Sequence, residues 1–367
     1  MKRRTFVKTA LAGLTALETM GCSVLGKKIE LKRGTVEYSP EILKDKWPRP
    51  KGTMPMRELG TTGIKISNFT FGSHMTKPLI PYEKEREYMI REAHDLGINL
   101  YDIYDSTTHQ YEPMGRYLEP IKNDVLVSVH APELGNVYEG NPIALPVDKG
   151  IEKMLRLLRR DCIDLARNHC PSPDSPRMQD WDKLFKMKEQ GKIRAVGIPV
   201  HTSQELDHIL DVYPIDFVLF PHNFYHNLNY GGEYVKGVPE MVKKLRDRGI
   251  GVTVMKPFAS EWFIPHLLEA SKEIDKTGEI SLGQAMLRYI INSEINPDTT
   301  FGGMYSLKEV YENIGAYYKL SLTPEEKKHL DKLRKVTKVI ADAVLPEHYK
   351  FLNTWAEGYD SKAVTSA

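Results

Sequence analysis

The chain has 367 residues, 41% hydrophobic and 27% charged, the balance of a soluble globular protein with a large core. Its 51 Lys and Arg stand against 49 Asp and Glu, and a net charge of +2 gives no support for a nucleic-acid partner, which would need a clustered basic face. The length could hold two domains, but barrels often use as much for one.

The first predicted element is a targeting segment, residues 1–26. In "MKRRTFVKTALAGLTALETMGCS", Arg3-Arg4 with Phe6 and Lys8 precedes a modestly apolar run and small residues near Gly21-Cys22. That is the pattern of a twin-arginine export signal. An amphipathic helix fits less well, because Glu18 breaks its apolar face. The expectation is a periplasmic protein delivered by the twin-arginine machinery, with a membrane anchor only if Cys22 carries a lipid. No other segment approaches the ~20 apolar residues that span a bilayer. Residues 27–55, with "KWPRPKGTMP", read as a charged leader that wraps a surface or stays mobile.

"MRELGTTGIKIS" (56–67) sets turn residues between alternating apolar positions and predicts a hairpin across the bottom of the fold. Short apolar runs then recur at 69–72, 99–103, 125–129, 162–166, 193–198, 216–220, 251–255 and 299–302. Helical patterns lie between them. Ile151, Met154, Leu155 and Leu158 fall at i, i+3, i+4, i+7, one face of a helix. In "DLGINLYD", "EQGKIRAVG" and "DRGIGVTV" a polar helix end meets a glycine (Gly97, Gly191, Gly249) and then a buried run. Eight strands, each followed by a helix, predict an α/β fold: a (β/α)8 TIM barrel as a single domain over 56–343. An open doubly wound sheet is the alternative, but no strand-linked G-x-G-x-x-G supports it. Residues 344–367 read as a polar tail with Tyr349, Phe351 and Trp355 as aromatic anchors. Cys162 and Cys170 bracket one strand, roughly 26 Å apart if it is extended. A disulfide needs less than ~7 Å, so these two are not expected to pair.

Chemistry in such a barrel sits where the strands end. Those ends carry His74, Asp102, His130, His169, His201, His222 and Lys256. Asp102 lies within an apolar run, and Tyr104, Asp105, His109 and Tyr111 crowd the loop that follows. A buried Asp is usually paired or at work in a site. One histidine means little; several converging on one rim point to a functional mouth.

"MRELGTTGIKIS", "GINLYD", "DCIDLARNHCP", "GKIRAVGIPVH", "GIGVTVMKP" and "FGGMYSLKEVYENI", in this order over roughly 56–335, together resemble the aldo-keto reductase family. The resemblance implies hydride transfer between a nicotinamide and a carbonyl. It implies a tyrosine as proton donor, a lysine paired with an aspartate, and a histidine that orients the carbonyl. Carried over, the aspartate is Asp102 and the histidine His169, while the tyrosine falls on Thr107 and the lysine on His130. A threonine hydroxyl ionises far above tyrosine's ~10 and is a poor proton donor, whereas histidine near ~6.5 can be acid, base or metal ligand. An Asp102–His130 dyad is therefore expected, with Tyr104, His109 or Tyr111 as substitute donors.

The resemblance also places a cofactor pocket at Lys256, Pro257, Phe258, Gly303, Met304, Glu312 and Asn313. The family's Ser-Asn and Gln clamp on the nicotinamide amide becomes Pro199-Val200 and Leu219, and its stacking aromatic becomes Met255. Glu312 and Asn313 could equally be a helix start with a buried Asn. The usual 2′-phosphate arginine is Glu309, so NAD is expected rather than NADP. The "MKP" subgroup often carries an iron–sulfur tail, but this C-terminus has no cysteine and no cluster is expected.

The function expected from the sequence is an exported oxidoreductase that uses a nicotinamide and Asp102, His130 and His169 on a carbonyl or sugar. Two alternatives stay open. One is nucleotide-independent lyase, isomerase or hydrolase chemistry, with a divalent metal on His74, His130, His169, His201 and His222. The other is a non-enzymatic binder on the same scaffold.

Overall fold

A computed structural model describes residues 47–344, apart from 73–82, 104–109, 132–145, 170–177, 201–205, 207–208, 226–237 and 260–262. The signal region, most of the leader, the tail with its three aromatics, His74, His201, Thr107, Tyr104, Asp105, His109 and Cys170 therefore lie outside the described residues. Cys162 is a free thiol. Among the described residues no helix is long and apolar enough to cross a membrane.

The first two strands, β1 (Met56–Glu58) and β2 (Lys65–Ser67), pair antiparallel with Arg57 opposite Ile66. Eight parallel strands then close into a barrel: β3 (Phe69–Gly72), β4 (Leu100–Ile103), β5 (Leu126–His130), β6 (Ile163–Arg167), β7 (Ile193–Pro199), β8 (Phe217–Pro221), β9 (Gly251–Met255) and β10 (Thr299–Gly303). β10 seals the circle by pairing with both β9 and β3. Each strand matches one of the predicted apolar runs to within a residue, as expected when side chains are buried on both faces.

Helices α1 (Glu83–Asp95), α2 (Tyr111–Leu118), α3 (Val147–Leu158), α4 (Met178–Glu189), α5 (Val238–Asp247), α6 (Ile264–Ile274), α7 (Leu282–Ile291), α8 (Leu307–Tyr318) and α9 (Pro324–Val344) surround it. On α3 the predicted stripe Ile151, Met154, Leu155 and Leu158 is buried against the barrel. The three helix-stopping glycines adopt the left-handed conformation, with φ of 91°, 74° and 72° at Gly97, Gly191 and Gly249. At each, the next residue's N–H reaches back five residues, as in Ile98 to Ala93 O at 3.0 Å. This is the Schellman closure that turns a helix end into the following strand.

The hairpin plugs the barrel's floor. Leu59, Ile64 and Ile66 pack on the inward Leu100, Leu165, Ala195, Phe217 and Phe301. Asp298 clamps the plug: its carboxylate accepts from Gly60 N at 3.1 Å, Val252 N at 2.9 Å and the Arg246 guanidinium at 2.5 Å. Gly60, at φ 51°, admits no side chain, because a Cβ there would lie 2.3 Å from Gly249 O. The described end of the leader wraps the surface: Trp47 packs on the core and Arg49 pairs with Glu92 of α1. The hairpin thus closes the floor of the barrel.

Candidate active site

Side chains alternate along a strand, so Leu100 on the inner floor puts Asp102 on the same inner face of β4. The neighbouring inner positions are Ser128 and His130 on β5, then Arg167 at the end of β6 and His169 just beyond it. Register places Asp102 opposite Ser128, and His130 opposite Arg167. Arg167, only 2% exposed, extends across β5 and grips Asp102 with both arms. Its Nη1 donates to Oδ1 at 2.5 Å and its Nη2 to Oδ2 at 3.0 Å. The same Nη1 donates to Ser128 Oγ at 2.6 Å, and the guanidinium lies 5.8 Å from the Phe301 ring centroid. This is a bidentate, buried ion pair in the centre of the barrel.

The expected Asp102–His130 dyad is therefore corrected. Both Asp102 oxygens are engaged by Arg167, and His130 turns its Nδ1 to the carbonyl of Ala131 at 2.9 Å. A carbonyl can only accept, so Nδ1 carries the hydrogen and Nε2 is the basic nitrogen of the neutral ring. His130 also meets His169, with ring centroids 4.9 Å apart and planes tilted by 46°. The three sequence-predicted catalytic residues thus lie on adjacent strands, a histidine pair above and a carboxylate below. Arg167 was missed from the sequence, although it ends β6 only two residues before His169.

His222 is a second correction. Phe217 and Leu219 face inward and His222 does not; it is fully buried, with its ring 6.3 Å from that of Tyr289 on α7. It belongs to the layer between barrel and helices. Tyr111 is likewise buried in that outer core. Among the described residues no group of three or more His, Cys, Asp or Glu is placed to hold a metal ion.

At the opposite rim, Lys256 takes a left-handed φ of 57°, and its carbonyl accepts from Asn223 Nδ2 and Ala259 N at 3.0 and 2.9 Å. Pro257 and Phe258 follow in this tight turn, and Phe258 reaches the end of β10 beside Gly302. Past β10, the backbone at Gly303 is open, since a Cβ there would meet only the Tyr305 ring at 3.8 Å; Met304 is buried. Ser306 caps α8 by accepting from Glu309 N, and Glu309 answers by accepting from Tyr305 N at 2.6 Å. This reciprocal capping box holds the glutamate in a desolvated position, and burial pushes its carboxyl above the usual range. Glu312 accepts from Ser281 Oγ, the cap of α7, and the buried Asn313 also faces α7 near Gly283. Glu312 and Asn313 are thus turned to α7, and the open backbone at Gly303 leads into a helix start, a place suited to an anion.

Residues 70–335 match the model of the Aldo/keto reductase family. The chain belongs to that family. Aldo-keto reductase YhdN of Bacillus subtilis is 29% identical over 183 residues, 47% of this chain and 55% of that protein. Aldo-keto reductase yakc [NADP(+)] of Schizosaccharomyces pombe is 25% identical over 177 residues, 45% of this chain and 51% of its own. The chain thus spans about half the length of these relatives. Among solved structures, aldo-keto reductase AKR11C1 from Bacillus halodurans in its holo form superposes with a TM-score of 0.61 at 21% identity. That superposition covers 81% of this chain and 99% of the other. It establishes the shared barrel. Within this aldo/keto reductase barrel, Asp102 is paired with an arginine on β6, and a histidine ends β5 beside them.

Proposed function

We propose that this aldo/keto reductase is an exported oxidoreductase that holds NAD(H) in preference to NADP(H) and acts on a carbonyl or sugar. The observation that carries the reading is the polar stack on the inner faces of β4 to β6. A locked Arg167–Asp102–Ser128 group lies beneath, and His130 stands against His169 above it. Bound at the mouth, the nicotinamide supplies the hydride donor or acceptor. Gly303, Met304, Glu312 and Asn313 at the start of α8, with Lys256, Pro257 and Phe258, would hold the dinucleotide. His169 orients the carbonyl oxygen, and His130 exchanges the proton through Nε2, because the threonine at the tyrosine's place is too weak an acid. Arg167 and Asp102 neutralise each other, so the proton exchange is assigned to the imidazoles beside them. The NAD preference rests on Glu309, which falls at the family's usual 2′-phosphate arginine; a carboxylate there would repel that phosphate.

Titration of the purified full chain with NADH and NADPH, read by protein fluorescence, tests the reading. We expect NADH to bind at least tenfold more tightly, and Glu309→Gln to narrow the gap while keeping the helix cap. Equal or tighter binding of NADPH would remove the preference, and binding of neither would remove the nicotinamide reading.

Export rests on Arg3-Arg4 ahead of the apolar run. The double variant Arg3→Lys/Arg4→Lys should accumulate in the cytoplasm of the host, as seen by cell fractionation. Undiminished delivery across the membrane would refute that part of the proposal.

A further inference from the structure

Arg86 lies in the opening turn of α1, where a positive charge opposes the helix dipole. It is 4% exposed and stacks on Phe71 at the end of β3, 4.6 Å from the ring centroid. Its guanidinium has five donors. Among the described residues a single acceptor meets them, the carbonyl of Met304 at 2.8 Å, and the buried Nε has none. No carboxylate is hydrogen-bonded to it among those residues. Glu309 acts on it only through the longer-range field, and burial pushes its pKa down to about 10. At neutral pH it is nevertheless a cation.

A buried charge without an ion-pair partner is costly, and such groups normally have a counterion. The place of this one supplies the reason. Met304 follows the open backbone of Gly303 and precedes the cap of α8, so Arg86 braces the loop that leads into the α8 N-terminus. Two sources of positive potential, a helix start and a desolvated guanidinium, thus converge on one loop at the mouth.

We propose that Arg86 is an anion-binding residue whose counterion is the diphosphate of the dinucleotide, held between the guanidinium and the start of α8. The assignment to a nucleotide rests on the nicotinamide reading above; the anion site itself does not. The carboxylate of Glu309 sits at the same loop and disfavours a phosphate on the ribose 2′ position, which leaves the diphosphate as the group for Arg86 to meet.

Calorimetric titrations on the full chain test this with ADP-ribose, adenosine, adenosine 2′-monophosphate and inorganic pyrophosphate. Arg86→Gln keeps a donor for Met304 O but removes the charge, and Arg86→Lys keeps a charge. We expect Arg86→Gln to weaken ADP-ribose and pyrophosphate by about 10- to 100-fold and to leave adenosine unchanged, with partial recovery in Arg86→Lys. Should Arg86→Gln fail to fold by circular dichroism, Arg86→Lys against wild type carries the comparison. The salt dependence of pyrophosphate binding then reads the charge: equal affinity and equal slope would overturn the site. Unchanged ADP-ribose and pyrophosphate affinity in a folded Arg86→Gln would overturn it too, as would wild-type protein that binds neither. A loss confined to adenosine 2′-monophosphate would overturn the assignment to the diphosphate. If nucleotides do not bind but pyrophosphate binds through Arg86, the nicotinamide reading falls and the anion site stands.

Discussion

Replacing Arg167 by methionine will cost the protein about 3–5 kcal/mol, the usual penalty for stranding one member of a buried ion pair. The geometry dictates the direction. Both oxygens of Asp102 depend on the guanidinium, and the carboxylate is 6% exposed, so water cannot replace the lost donors without opening the barrel. Ser128 loses its donor at the same time. The double variant Asp102→Leu/Arg167→Met should recover most of that loss, because an apolar pair of similar volume avoids the desolvation of both charges. Urea denaturation of wild type, single and double variants completes the cycle. A single variant as stable as wild type would mean that the pair is not what fills the centre of the barrel. A double variant that folds but does not turn over would separate the structural role of the pair from its role beneath the histidines.

The second large effect concerns His130. In His130→Gln we expect turnover to fall by about 10²–10⁴-fold, the range that a positioned acid–base group contributes. Nicotinamide affinity should stay as in wild type, because Glu312 and Asn313 stand on α8, against α7. Wild-type turnover should show a pH limb well below the one that a tyrosine near ~10 would impose. The sign follows from the role. Carbonyl reduction needs protonated His130 and falls as pH rises through that limb; alcohol oxidation needs the neutral ring and falls as pH drops through it. Steady-state rates in both directions from pH 5 to 10 measure this. Full activity in His130→Gln would assign the proton to another group.

The register of β4, β5 and β6 explains how Asp102 is paired. On the inner face of β5, His130 gives its Nδ1 to the carbonyl of Ala131. The cation is supplied by Arg167, whose side chain reaches from one strand further round, over Ser128. Asp102 thus has a cationic partner, and the imidazole of His130 lies beside that of His169.

The amino-acid sequence by itself determined the elements. Period-two and continuous apolar runs fixed eight strands, 3.6-residue stripes fixed helices such as α3, and Gly97, Gly191 and Gly249 marked where helices stop. Each of these signals is local: a few neighbouring residues decide them, whatever the rest of the chain does. It also showed that Asp102, His130 and His169 lie at the ends of consecutive strands. Only the tertiary structure decided what those side chains touch. Closing the barrel staggers each strand against the next, and it is that register that sets Arg167 opposite His130 and carries its guanidinium to Asp102. The same closure turns His222 away from the rim, because one residue's shift along a strand exchanges the inner face for the outer. It also leaves Arg86, unremarkable in sequence, as a buried cation under the Met304 loop, brought there by the packing of α1 beside α8. Contacts between residues more than two hundred positions apart are not written in local periodicity; they follow from how far each side chain reaches once the strands are in register.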